Sequence, residues 1–229
     1  MDWLPDFAAA ALAAILAITL HEAAHGYAAR ALGDDTAARL GRLSLNPLRH
    51  VDPIGTLLVP GLLLFTQLLA SGQVSVMFGW AKPVPVNVMA LRNPRFGMVL
   101  VAAAGPAINL VLATISALLL HPLQGPGGDF VMDWLEGFLF LSLVGNLVLA
   151  AFNLLPIPPL DGGRILGGLL PPALGIPFLR LERAGLFIVL ALLFLLPMAV
   201  PGMDPLRWLV NAVVFPTAEV ILAITGHGA

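Results

Sequence analysis

Six runs of mostly apolar residues, at 4–31, 54–71, 95–120, 131–155, 178–197 and 206–225, leave this chain few places to go but a lipid bilayer. A helix of roughly 20 residues crosses the hydrocarbon core. Strands could cross only as a closed barrel with alternating patterning, and these runs are continuously apolar and longer than a barrel strand. The expected fold is an all-α membrane protein, a polytopic bundle of about five to six transmembrane helices. Composition agrees: 59% of the 229 residues are hydrophobic and 10% charged, far from the balance of a soluble domain.

Basic residues suggest the orientation, because cytoplasmic loops collect them. Arg30, Arg39, Arg42 and Arg49 follow the first run, whereas the start (MDWLPD) is acidic. The first helix is therefore expected to be retained, with the N-terminus outside. The loop at 121–132 has no Lys or Arg and reads as an external hairpin; Arg180 and Arg183 mark another cytoplasmic end. A full crossing by 54–71 would strand Lys82, Arg92 and Arg95 outside. That run is expected to be re-entrant or tilted, broken at Pro60-Gly61, with a plain span as the alternative.

Residues 73–88 are Val-rich and partly alternating, which predicts a small membrane-associated β-hairpin. Pro83 and Pro85 would hold one strand at an edge, leaving the backbone at Val84 and Val86 to pair with an extended peptide. An irregular interfacial loop fits the same residues equally well. Trp3, Trp80, Trp134 and Trp208 fall near expected interfaces.

There is no cysteine, so any metal must be held by His, Asp or Glu. His21-Glu22-Ala23-Ala24-His25 is an H-E-x-x-H pattern, which puts two imidazoles one turn apart on one helix face, able to share a zinc ion. Glu22 beside them can take a proton from a water that the metal acidifies. Ionisable groups at membrane depth are costly unless paired or metal-bound, so their default reading is functional. Ala23, Ala24 and Gly26 are small enough to let a neighbouring helix close over the site.

A catalytic zinc needs a third protein ligand. Asp161, in NLLPIPPLDGG, is the best-placed acid; three prolines in four positions force unwound backbone there, of the kind that lines protein-covered cavities. A turn residue before Gly162-Gly163 explains the same aspartate as well.

HEAAH in a membrane helix followed by NLLPIPPLDG resembles the site-2 proteases, whose second motif is N-x-x-P-x-P-x-L-D-G; Ala104-Gly105-Pro106-Ala107-Ile108-Asn109 is similar to the small-residue helix between their two motifs. The resemblance covers roughly 1–175. It implies a zinc endopeptidase that cleaves transmembrane segments, with His21, His25 and Asp161 as ligands and Glu22 as general base. Asn153 would orient substrate or stabilise an oxyanion, or else cap its helix.

The expected division is a catalytic membrane core at 1–175 and C-terminal transmembrane helices at 176–229, a minimal form without a PDZ or CBS domain. The implied partners are the bilayer and a transmembrane protein or peptide substrate, in a membrane expected to be prokaryotic. With a net charge of −2 and no basic cluster, nucleic acid is excluded. His50 and His121 read as surface residues, His227 as part of the tail, and Glu136 and Glu182 as structural. A metal transporter would need further buried ligand stations, and a bis-His haem cannot form from two residues on one helix face. Sequence alone leaves the substrate and the oligomeric state open.

Overall fold

Helix α1 (Trp3–Ala31) is organised around a stripe repeating every four residues. Ala9, Ala13, Ala17, His21, His25 and Ala29 are its buried positions on that stripe, while Phe7, Leu12, Ile15 and Leu16 face outward. This is the pattern of a helix whose solvent is lipid: small and polar residues turn inward, where backbones must approach, and large apolar ones turn to the acyl chains. The computed structural model describes residues 3–72, 79–120, 129–200 and 202–227.

Two further long helices complete the centre of the fold. Helix α4 (Pro94–Leu120) buries Gly97, Val101, Gly105, Asn109 and Ala113, again four apart. Helix α5 (Phe130–Asn153) buries Leu139, Leu143 and Leu147, with Asn146 and Ala150 beside them. Helices α1, α4 and α5 pack against one another pairwise. Between α1 and α4 lie the short α2 (Thr36–Arg39) and α3 (Val59–Ser71). After α5 come α6 (Asp161–Leu169) and α7 (Pro172–Arg180).

The C-terminal region forms two more apolar helices. A π-helical stretch at Ala191–Leu195 joins α8 (Glu182–Leu190) to α9 (Leu196–Ala199), and another at Val210–Val214 joins α10 (Pro205–Leu209) to α11 (Phe215–Ile224). Val214, Ala218 and Ile221 pack on Ala113, Ala117, Leu143 and Leu147 of α4 and α5.

Among the described residues, five helices are long and apolar enough to cross a membrane: Leu4–Ala31, Pro94–Leu120, Phe130–Asn153, Glu182–Ala199 and Pro205–Ile224. The run Pro53–Leu69 is shorter than these and falls below the roughly 20 residues of a perpendicular span. It is not broken at Pro60-Gly61 as expected. A π-helical turn at Pro53–Leu58 leads directly into α3; Pro60 cannot donate to the preceding turn, and the Gly55 carbonyl five residues back accepts from Trp80 N–H instead (3.1 Å).

The expected β-hairpin is not found. Residues 73–78 lie outside the described residues, and no strand occurs among those described; 79–87 run as irregular chain. The reason is visible in where the backbone donors go. Trp80 N–H donates to Gly55 O (3.1 Å), Lys82 N–H to His50 O (2.8 Å), Val84 N–H to the Glu22 carboxylate (2.9 Å) and Asn87 N–H to the Asp34 carboxylate (2.6 Å). Pro83 and Pro85 have no N–H. Every partner comes from a different place, so no ladder forms.

Candidate metal centre

His21 and His25 lie in the C-terminal half of a membrane-length helix and are only 5% and 9% exposed. Gly105 makes room for them: a Cβ there would lie 2.5 Å from ring atoms of His25 and 2.6 Å from His21 Cε1. At the next position Pro106 lacks an N–H, leaving the helix one hydrogen bond short at Ala102. One residue before that, the Val101 carbonyl accepts from His25 Nδ1 at 2.7 Å. His21 Nδ1 lies 2.5 Å from Asn109 Oδ1.

These two contacts settle the tautomers. A backbone carbonyl only accepts, and an amide oxygen only accepts, so both Nδ1 atoms carry the proton and both Nε2 atoms present a lone pair. The two Nε2 atoms are 3.1 Å apart. Asp161 Oδ2 stands 3.1 Å from His21 Nε2 and 3.3 Å from His25 Nε2, is buried, and receives no hydrogen bond. Three electron-pair donors facing one point repel unless a cation lies among them. Among the described residues this is the one group of three metal-capable side chains gathered so closely.

Asp161 arrives there because the chain unwinds after α5. Residues 154–160 are irregular, and α6 restarts at Asp161 with its first turn pressed on that loop. A Cβ on Gly162 would lie 2.1 Å from Leu154 O, so only glycine allows the approach.

A cavity of about 310 Å³ opens at the group, lined also by Glu22, Asn153 and Arg164 and by Trp80, Pro83, Val84 and Val86. Asn153 ends α5 and donates one of its two amide hydrogens to Leu149 O (3.0 Å). Arg164 pairs with Glu182 of α8.

The structure thus brings together His21, Glu22, His25, Asn153, Asp161, Val84 and Val86. His50, expected at the surface, is instead 3% exposed, with its Nε2 bonded to Ser44 O (2.8 Å), because the loop after α2 folds back to meet residue 82. His121 lies outside the described residues. Sequence reasoning missed two features. Asn146 belongs to no motif, although a polar residue inside an apolar run is itself a signal. Gly105 is legible only as part of a motif, since a steric need between helices leaves no local trace.

Comparison with known proteins supplies the lineage. Residues 123–196 match the sequence profile of peptidase family M50. YwhC of Bacillus subtilis, named as a zinc metalloprotease, is 43% identical over 187 residues, covering 80% of this chain and 78% of that protein. The chain belongs to peptidase family M50, the site-2 proteases. Rip2 of Mycolicibacterium smegmatis, also named as a zinc metalloprotease, is 31% identical over 179 residues, 78% of this chain and 64% of that protein. MJ0611 of Methanocaldococcus jannaschii, also so named, matches over 66 residues at 41% identity, 29% of this chain and 31% of its own length. No solved structure matches. As an M50 member with five bilayer-length apolar helices among the described residues, the chain is a multi-pass membrane metalloprotease.

Proposed function

We propose that this site-2 protease is a zinc-dependent endopeptidase that cuts peptide bonds within transmembrane segments of other membrane proteins, with His21, His25 and Asp161 holding the metal and Glu22 as general base. The observation that carries this reading is the convergence of two imidazole Nε2 atoms and one unpartnered carboxylate oxygen, within 3.3 Å of one another, beside a cavity lined by Glu22. Two imidazoles and one carboxylate are a known donor set for catalytic zinc, and the ligand atoms are spaced much as a tetrahedral ion with bonds of about 2.0–2.1 Å requires.

When bound there, zinc would supply Lewis acidity, polarising the scissile carbonyl and acidifying the attacking water. The chain's own groups do the rest. Glu22 accepts the proton of the attacking water and passes it to the leaving amine. Val84 N–H, donating to Glu22, holds that carboxylate on the cavity side. Asn153, at the cavity wall, offers an amide donor to the developing oxyanion or to the substrate backbone. The irregular segment 79–87 forms part of the wall along which an unwound substrate would lie. A helical substrate must unwind first, because its carbonyls are engaged in helix hydrogen bonds. The Arg-rich stretch after α1 supports an external N-terminus.

The test is direct. Wild type and Glu22→Gln are purified, their zinc contents measured, and each incubated with a single-span membrane substrate. Retained zinc with cleavage reduced about 10²–10⁴-fold is the expected result; equal cleavage by both would refute the base.

A further inference from the structure

We propose that Asn146 of α5 is a positioning residue for the metal: acting through Asn109, it fixes the tautomer in which His21 turns the lone pair of Nε2 toward the ion. Asn109 and Asn146 are 0% and 1% exposed, in the middle of two apolar helices. A primary amide has nearly the same shape whichever way it lies, but opposite hydrogen-bonding character at its two ends. If Asn109 were flipped, its NH₂ would face His21 Nδ1, the imidazole proton would move to Nε2, and the ligand lone pair would be lost.

Asn146 decides which way Asn109 lies. Its Oδ1 accepts from Asn109 Nδ2 at 2.7 Å, and its own Nδ2 donates to the Ser142 carbonyl at 2.8 Å. A backbone carbonyl cannot reverse its role, so the direction propagates without ambiguity from Ser142 O through Asn146 and Asn109 to His21. The two ligands differ here: His25 is set by one bond to Val101 O, whereas His21 depends on a relay through two amides. Ala17 O, 3.4 Å from Asn109 Nδ2, is a weaker second acceptor. Loss of Asn146 should therefore weaken the orientation without abolishing it. Groups that orient metal ligands typically matter 10–100-fold in affinity.

This inference rests on the proposed zinc centre, and its test separates the two. Zinc affinity of the full chain in detergent is measured by competition with a chromophoric chelator for wild type, Asn146→Ala, Asn109→Asp and the double variant. In the Asn109→Asp background both carboxylate oxygens accept, so His21 is held correctly without help from Asn146. Asn146→Ala should lower zinc affinity about 10–100-fold in the wild-type background, and by less than about threefold beside Asn109→Asp, a coupling that a double-mutant cycle resolves. An equal loss in both backgrounds means that Asn146 only packs helices and overturns the proposal, as does no loss in either. Should Asn146→Ala not fold, Asn146→Ser, whose hydroxyl can turn either way, is read by ¹⁵N NMR of the zinc-free imidazoles. The proton of His21 should then be shared between Nδ1 and Nε2; shifts identical to wild type overturn the positioning role. Wild type that fails to bind zinc defeats the metal centre itself.

Discussion

Helices α4 and α5 meet in two layers only a turn apart, and the layers are of opposite kinds. In one, Asn109 and Asn146 are joined to each other, to His21 and to Ser142 by directed hydrogen bonds. In the other, Ala113, Ala117, Leu143 and Leu147 meet Val214, Ala218 and Ile221 through shape alone. Lipid tails are as apolar as leucine, so burying the second layer gains close packing rather than escape from water. The first layer gains direction: it settles which way each amide lies and hence where the His21 lone pair points. One layer should govern stability with little effect on metal, the other metal with less effect on stability.

The sharpest way to break that contrast is Gly105→Ala. Its methyl group would lie 2.5 Å from His25 ring atoms and 2.6 Å from His21. Both imidazoles must shift, and zinc affinity measured by chelator competition should fall by about 100-fold, the upper end for disturbed ligand orientation. Unchanged affinity would mean the site is not held by helix-helix fit.

The complementary change is Leu143→Ala. This side chain is fully buried in the apolar layer, and its truncation should lower unfolding stability in detergent by about 2 kcal/mol or more through the cavity left behind. Zinc affinity should stay within about twofold of wild type. A large loss of metal would show the two layers to be coupled.

A smaller effect is expected outside the membrane helices, at Asp34. Burial would raise the pKa of its carboxyl, but hydrogen bonds from Thr36 and from the Asn87 backbone, together with the charge of Arg39, outweigh it and hold the value below the ordinary carboxylate range. A carboxyl whose pKa is lower in the folded state contributes stability above its unfolded value of about 3.9 and loses it as pH falls through the folded value. Asp34→Asn should therefore lower stability at pH 7 and lose less than wild type on acidification below about pH 4. Denaturation curves at pH 7 and pH 3 check both parts; parallel losses would contradict the sign.

The smallest effect belongs to the Arg164–Glu182 pair, whose side chains are about a third or more exposed. Glu182→Gln should change stability by less than about 1 kcal/mol. A larger loss in the same denaturation assay would make the pair a structural tie between α6 and α8.

Much of this was legible in the residues. Length and continuous apolarity gave the helices, because a bilayer admits few other solutions. The i, i+4 histidines gave two of the three members of the candidate metal group, since helical spacing alone brings them to one face. Asp161 needed the family resemblance, because nothing local says that a residue 136 positions after His25 returns to it. The hairpin expected at 73–88 failed for a related reason. Valine alternation states a local preference, but the donors of 80, 82, 84 and 87 were claimed one by one by Gly55, His50, Glu22 and Asp34, partners distant in sequence. Orientation of the Asn109 amide is equally non-local, being set by Asn146 of another helix.

The central claim, that His21, His25 and Asp161 hold one ion together, is tested most directly by zinc retention during dialysis against a graded series of chelator concentrations. Wild type and His50→Ala, which alters the other deeply buried histidine among the described residues, should keep one zinc per chain at concentrations that strip Asp161→Asn. If Asp161→Asn retained zinc as firmly as wild type, or if His50→Ala lost it first, the metal would lie elsewhere and the account would fail.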